Sequence, residues 1–268
     1  MTIVVSNPND QPAHVYIFDK AKYDNASHTP YLEFDVPAGG VVTKLIVGDP
    51  TGSTQNNLAV PNSGQTIYNY MLNNTMQAPY AFRARSSLPV VVYQFNPYGK
   101  SKGYTADASL LLPTNVLGQD YIDLSYYSSS GTTAANTIGI VAVKPGTTTV
   151  EVTPSIKVAQ GRNVNTSATI PAIPAETKTT FTLQQFDVLH LQQGDDGEMT
   201  GSKIHADKPV AVFGGAACTN IRSACDHTEE QLFPTNVWGT NYYAIRAGYN
   251  LSSKTILGSE FDDYYILA

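Results

Sequence analysis

The residues best suited to chemistry in this chain fall in one short stretch, Cys218, Cys225, Asp226 and His227. Three chemistries use these residue types. Two cysteines in one loop of an exported protein form a local disulfide. One that closes a loop of about eight residues stabilises by roughly 2–3 kcal/mol through the entropy taken from the unfolded chain. A tetrahedral zinc site would draw on Cys218, Cys225 and His227, but it needs a fourth ligand at recognisable spacing. His205 could approach, and no second cysteine pair exists. A Cys–His nucleophile needs a third group to orient the imidazole. Asp226 adjoins His227, so their side chains diverge on a strand or turn and the pair is poorly placed for that role. The disulfide is the expectation, with metal and catalysis as its alternatives.

The acidic stretches are weaker. Gly194-Asp195-Asp196-Gly197-Glu198 places three carboxylates in a glycine-flanked loop. Calcium takes six to eight oxygens, and Asp195, Asp196 and Glu198 with backbone carbonyls would supply most of them. The competing reading is a solvated turn, which Asp and Gly favour for backbone reasons. Glu229-Glu230 cannot serve as a glycosidase pair, because adjacent residues do not set the ~5–9 Å spacing across a sugar. They read instead as a helical turn over 228–232, capped by Asp226 or Thr228. No Ser/His/Asp constellation assembles, and no phosphate-cradling glycine loop precedes a helix. No enzyme is expected, and no cofactor beyond the calcium alternative.

The elements that would position these residues are strands. The chain has 268 residues, 42% hydrophobic and 14% charged, against about 25% charged in ordinary soluble proteins. Seventeen Tyr and a Val/Thr-rich texture suit pleated, half-buried surfaces. A net charge of −6 with no basic run argues against a nucleic-acid partner. No run of 18 or more apolar residues offers a membrane-spanning helix. The N-terminus lacks the charged and apolar regions of a signal peptide, and the expectation is an exported protein with its leader trimmed.

An internal repeat organises the chain. Pro89-Val-Val-Val-Tyr-Gln-Phe returns about 120 residues later as Pro209-Val-Ala-Val-Phe-Gly-Gly. Pro113-Thr-Asn-Val-Leu-Gly118-Gln-Asp-Tyr121 returns as Pro234-Thr-Asn-Val-Trp-Gly239-Thr-Asn-Tyr242. Asp107 and Asp226 precede these motifs. Val36-Pro37-Ala38 resembles Ile173-Pro174-Ala175 more weakly, and the final Asp263-Tyr-Tyr-Ile266 resembles the start of the second unit's strands. The spacing predicts strands over 137–144 and 148–154 about a Pro145-Gly146 turn, then 179–184 and 188–192. A hairpin-like break at 207–209 separates 202–206 from 210–213. With 121–127 this gives about seven strands per unit, the scale of a β-sandwich. The fold class expected is therefore all-β, as tandem duplicated antiparallel sandwich units of about 120 residues; a propeller-like arrangement of blades is the alternative. The units are 1–120, 121–242 with the Cys218–Cys225 loop, and 243–268 as the start of a truncated third. Pro113 and Pro234 should start strands, and Gly118 and Gly239 should take positive φ. Trp238 reads as core, with an exposed binding anchor as the alternative. Tyr126-Tyr127, Tyr242-Tyr243 and Tyr264-Tyr265 should each put one ring outward, where tyrosine serves interfaces and glycan stacking.

Lys208-Pro-Val-Ala-Val-Phe-Gly-Gly215, Cys218, and Cys225-Asp-His-Thr-Glu-Glu-Gln-Leu-Phe-Pro-Thr-Asn-Val-Trp-Gly239 resemble the signature of the IgGFc-binding protein N-terminal domain family. Phe186-Asp-Val-Leu with Met199-Thr-Gly-Ser matches another of its phrases. The first-unit strings Pro89–Pro97 and Asp107–Pro113 are similar to bacterial surface members. The resemblance covers most of residues 30–268 and implies an extracellular or cell-surface domain for binding or adhesion. A protein or glycan would be its partner, and Fc binding is implied by the family name alone. Candidate ligand-binding residues are Tyr127, Tyr243, Trp238, Asp226 and His227, and the variable loops 20–29, 48–65 and 162–169 are expected to carry recognition. A structural surface-layer or stalk repeat is the second expectation, and a carbohydrate-active enzyme the third.

Overall fold

The computed structural model describes residues 1–24, 28–46, 74–96, 107–127, 135–221 and 224–243. In chain order the first elements are β1 (Thr2–Ser6), β2 (Ala13–Phe18), a short helix α1 (Lys20–Asp24), β3 (Leu32–Val36) and β4 (Val41–Leu45). Then come β5 (Thr75–Ala78), β6 (Arg83–Ser86), β7 (Val91–Asn96) and β8 (Asp107–Leu110). They are followed by β9 (Asp120–Ile122), β10 (Asn136–Ala142), β11 (Thr147–Thr153), β12 (Gly161–Asn163) and β13 (Thr169–Ile170). The last strands are β14 (Thr179–Gln184), β15 (Val188–Gln192), β16 (Lys203–Ala206), β17 (Val210–Ile221) and β18 (Ala224–Gln231). A 3-10 turn, Thr235–Val237, ends the described chain's regular structure.

Period-two patterning makes these strands. Along β10 burial alternates through Asn136, Ile138, Ile140 and Ala142, and along β11 through Thr148, Val150 and Val152. Each strand therefore has one apolar face to hide. The strands answer with four sheets. A sheet ordered β4-β1-β7-β8 shares a core with one ordered β3-β2-β6, through Ile3, Val5, Val15, Ile17, Phe34 and Val36. A seven-stranded sheet, β13-β12-β5-β15-β10-β17-β18, faces one ordered β14-β11-β16-β9 across a larger core. That core joins Ile138, Ile140, Leu189, Leu191 and Val212 to Val150, Val152, Leu183, Ile204 and Tyr121. Two face-to-face sheet pairs are sandwich packing, not propeller blades set about an axis. The ladders are antiparallel except β12–β5, which runs parallel and makes the large sheet mixed.

Two junctions tie the sheet pairs together. The first is β5, which comes from the first 120 residues yet lies between β12 and β15 in the seven-stranded sheet. Beside it Phe186 takes φ +72°, a conformation a bulky residue adopts only when its surroundings impose it. Here they do. The ring is buried against Tyr23 with centroids 5.0 Å apart, and the Phe186 N–H donates to Ala142 O at 2.9 Å. Gly39 takes φ +60° in the tight turn from β3 to β4, where Phe186 does so between β14 and β15. The second junction is a seam between β8 and β18.

Several sequence expectations change. Residues 228–232 are not helical; β18 pairs with β17 through Glu229, Glu230 and Gln231, because the long strand beside them offers a ladder a short helix cannot match. The Asp207-Lys208-Pro209 break is no hairpin, since β16 and β17 belong to facing sheets. Neither proline starts a strand: Val116 N–H donates to Pro113 O at 3.0 Å and Val237 N–H to Pro234 O at 3.1 Å, closing the same turn twice. Gly118 and Gly239 do not have positive φ. Gly118 is needed for close approach, because a Cβ there would stand 2.4 Å from the Pro234 Cβ. Ile173 bridges to Val158 ahead of β14, whereas Val36 ends β3. The expected third unit lies outside the described residues save for 243.

One buried charge gives the fold a pH dependence. Asp123 is fully buried, and neither carboxylate oxygen has a hydrogen-bond partner. Burial pushes its pKa up to about 7, with the charge of Glu198 adding to the rise. The folded pKa exceeds the ordinary 3.8, so the folded state binds the proton more tightly. Stability is therefore highest below pH 4 as far as this group is concerned, and declines as pH rises toward 7. Asp123→Asn should flatten that decline and stabilise the protein at pH 8 by on the order of a few kcal/mol. Denaturant unfolding of both proteins at pH 5 and pH 8 measures it.

Candidate functional site

The long β17–β18 hairpin carries the Cys-Asp-His block. Its ladder pairs Asn220 with Cys225 and Thr219 with Asp226, then shifts register between Ala216 and Thr219. Cys218 lies in that irregularity, so the two cysteines stand on opposite arms of a hairpin rather than in an open loop. The side chains of Cys218, Cys225 and Asp226 fall outside the described set. His227 is described, with its Nε2 3.6 Å from Glu229 Oε2.

Beyond His227 the hairpin meets β8 edge to edge, and side chains satisfy the strand's free backbone groups. Asp107 Oδ2 accepts the Glu229 N–H at 2.8 Å, and Ser109 Oγ accepts the Gln231 N–H at 2.6 Å. Gln231 Oε1 in return accepts the Leu112 N–H at 2.7 Å. The Glu229 carboxylate accepts from Gln94 at 3.2 Å and Asn96 at 2.9 Å, both on β7. Burial works to lower the His227 pKa, but the Glu229 carboxylate and the more distant Asp107 outweigh it and the net shift is upward. Burial also raises the Glu230 carboxyl. With Glu229 Oε2 engaged by two amides, this cluster joins sheets; Glu229 and Glu230 alternate along a strand and do not face one substrate.

A groove lies on the other side of the seven-stranded sheet's rim. One wall is the 163–174 arm, which includes β13, and the other is β14. Gln77 and Asp187 line it as well. Asp187 is buried and fully engaged: it accepts from Gln77 Nε2 at 3.1 Å, from the Gln184 N–H at 2.9 Å and from Asn165 Nδ2 at 3.1 and 3.2 Å. Asn163 Nδ2 donates to Gln77 Oε1 at 2.9 Å. What remains for a ligand is a set of exposed hydroxyls, Thr166, Thr169, Thr180 and Thr182, with Phe181 and Pro171 as apolar surface. Hydroxyls and amides beside a ring suit a polyhydroxylated or peptide ligand. Loop 162–169, expected to carry recognition, forms part of this wall.

The other sequence candidates lie elsewhere, and none lines the groove. Trp238 is 37% exposed rather than core, with Nε1–H donating to Phe233 O at 3.3 Å. Tyr127 is exposed, and Tyr242 and Tyr243 are both outward, not one to each face. Tyr264-Tyr265 fall outside the described residues. Asp195 pairs with Lys157 at 3.3 Å on the surface. Among the described residues no three His, Cys, Asp or Glu side chains converge as a metal site. Sequence reasoning missed Gln77 and Asp187. The positive φ of Phe186 ahead of Asp187 shows only in the fold, and Gln77 reaches the site only through the displacement of β5.

The IgGFc binding protein family matches residues 107–268, from the first residue of β8 onward and over more than half of the chain. The chain belongs to this family. A human protein named IgGFc-binding protein is 35% identical over 142 residues, which is 53% of this chain and 2% of the human one. The chain thus spans a small fraction of that relative's length. No solved structure matches it. Both β8 and β18 fall within the family region, so the seam does too, as do β14 and the 163–174 arm.

Asp107→Ala and Ser109→Ala should each strand a buried N–H of β18 and cost about 1–3 kcal/mol, read as a lower urea midpoint. The His227–Glu229 attraction should be fully present below pH 6.5 and fade as pH climbs through the raised His227 pKa. His227→Gln should remove that part of the pH dependence in the same unfolding experiment.

Proposed function

We propose that this chain is an extracellular, cell-surface binding or adhesion module, holding a glycan or glycoprotein segment in the groove between the 163–174 arm and β14. Membership of the IgGFc binding protein family, matched across the region that contains the groove, is the observation that carries this reading. The groove's chemistry agrees with it. It presents threonine hydroxyls and an aromatic ring, and its one carboxylate, Asp187, is consumed by structural hydrogen bonds. Catalytic residues have no part in the proposal.

The architecture we infer is a duplicated sandwich. In support, β4-β1-β7-β8 and β15-β10-β17-β18 follow one strand order, and so do β3-β2-β6 and β14-β11-β16. The Pro-Thr-Asn-Val turn also closes the same way at Pro113 and Pro234. The Cys218–Cys225 disulfide belongs to the same proposal, since an exported hairpin with two cysteines on opposing arms gains by joining them.

The test is a glycan and glycoprotein array, immunoglobulin Fc included, probed with the whole chain. Thr180→Arg and Thr182→Arg fill the groove from exposed positions and should cut binding at least tenfold, about 1.4 kcal/mol, without moving the melting temperature. Retained binding in both variants would sink the groove assignment, and an empty array the function. Thiol titration of the unfolded chain should find no free thiol before reduction and both cysteines after it.

A further inference from the structure

The groove lies where two facing sheets are open. β13 and β14 are the last strands of those sheets, and both line it. Hydrogen bonds fix which way their backbones point. Thr149 of β11 stands opposite Thr182, but its backbone bonds on the far side from β14. There its N–H donates to Asp207 Oδ1 at 2.8 Å, and its O accepts the Asp207 N–H at 3.0 Å. Thr149 and Thr182 therefore do not bond across the ladder, and Thr180 and Thr182 turn their N–H and C=O groups out of the sheet. Side chains take the outward groups at one end only. Gln77 Nε2 donates to Thr182 O at 2.9 Å, and Gln184 N–H donates to Asp187 Oδ2 at 2.9 Å. Thr180 N–H, Thr180 O and Thr182 N–H have no partner among the described residues, and both threonines are exposed. Across the groove Ala168 O accepts the Asn163 N–H at 2.8 Å, so the next residue, Thr169, faces its backbone away from β12. Open edges are usually blunted by charge, proline or a bulge. β14 has none of these, and its register against β11 runs unbroken. Lys178, just before it, is held over the sheet by Glu151 at 2.6 Å. The terminal strand β3 differs, with the carboxylates of Glu33 and Asp35 at its outward positions.

We propose that the groove takes an extended polypeptide segment, which adds to β14 as a further strand. This rests on the groove assigned above and commits its ligand to a peptide. The segment's amides pair with Thr180 N–H, Thr180 O and Thr182 N–H. A glycan has no regular alternation of donor and acceptor at strand spacing to match them. The 163–174 arm closes the other side and leaves about 740 Å³, so a single strand enters and a second copy's four-stranded sheet does not.

Synthetic peptides are the probe, chosen by panning a random phage-displayed library of about eight residues against the whole chain. Strand pairing uses every second peptide N–H, so each selected peptide is remade twice, with N-methyl groups on alternate amides in one frame or the other. One frame should lose affinity about tenfold and the other much less. On the protein side, Thr180→Pro removes the outward N–H and leaves the ladder to β11 whole, since that N–H takes no part in it. It should cost about tenfold in peptide affinity, and Thr180→Ala, which keeps the N–H, less than about threefold. Should Thr180→Pro lower the melting temperature, the methylated peptides on the unaltered chain decide. Failure to enrich any peptide overturns the proposal, and so do selected peptides that lose affinity equally in both frames or in neither. A chain that holds glycans on the array, loses them in Thr180→Arg and enriches no peptide overturns the added strand and leaves the groove standing. Peptides that bind Thr180→Arg and Thr182→Arg undiminished sink the groove as well.

Discussion

A strand at the end of a sheet carries N–H and C=O groups that must find partners, and this protein brings two such ends face to face. Where β8 meets β18, the backbones do not form a ladder. Asp107 and Ser109 reach across instead and take the N–H groups of Glu229 and Gln231. The arrangement satisfies an edge that would otherwise invite other chains to pair, and it fixes one sheet pair against the other. The rest follows from it. Glu229 is drawn inward, so Gln94 and Asn96 turn their amides to it, and His227 gains a carboxylate neighbour.

The second junction works by a different device. A strand from early in the chain is lent to a sheet made by the later part, and its Gln77 is inserted under Asp187. The accompanying strain at Phe186 is tolerated because the ring is buried against Tyr23 and the following carboxylate is saturated. Binding sites gain from such construction. A groove whose polar floor is already satisfied offers the ligand a preformed surface, and little ordering remains to oppose association.

The strands were legible wherever one face alternates cleanly. Residues 179–184 are read correctly from period two and 137–144 nearly so, whereas 188–192, also found as a strand, is buried along its whole length. Sheet membership was not legible, because alternation says that a face is buried and not what buries it. That is why 202–206 and 210–213 look like a hairpin although their strands sit in facing sheets. The 228–232 turn failed for a related reason: Thr-Glu-Glu-Gln has helical propensity, and tertiary pairing with β17 overrides it. Gly118 was noticed but misread, since a glycine's need for space depends on Pro234, far away in sequence. The Cys-Asp-His block, the strongest local signal, identified the family; the groove is written in residues with no signature of their own.

The displaced strand β5 separates two ideas of a domain that are easily treated as one. The family region begins at Asp107, so as a unit of inheritance it leaves β5 behind. As a unit of folding it cannot. A polypeptide cut at that boundary would open the seven-stranded sheet between β12 and β15, leaving a gap with two raw edges in mid-sheet and Asp187 short of a donor. Gln77 and Asp187 therefore belong to one folding unit in this chain, although the family region holds only the second of them.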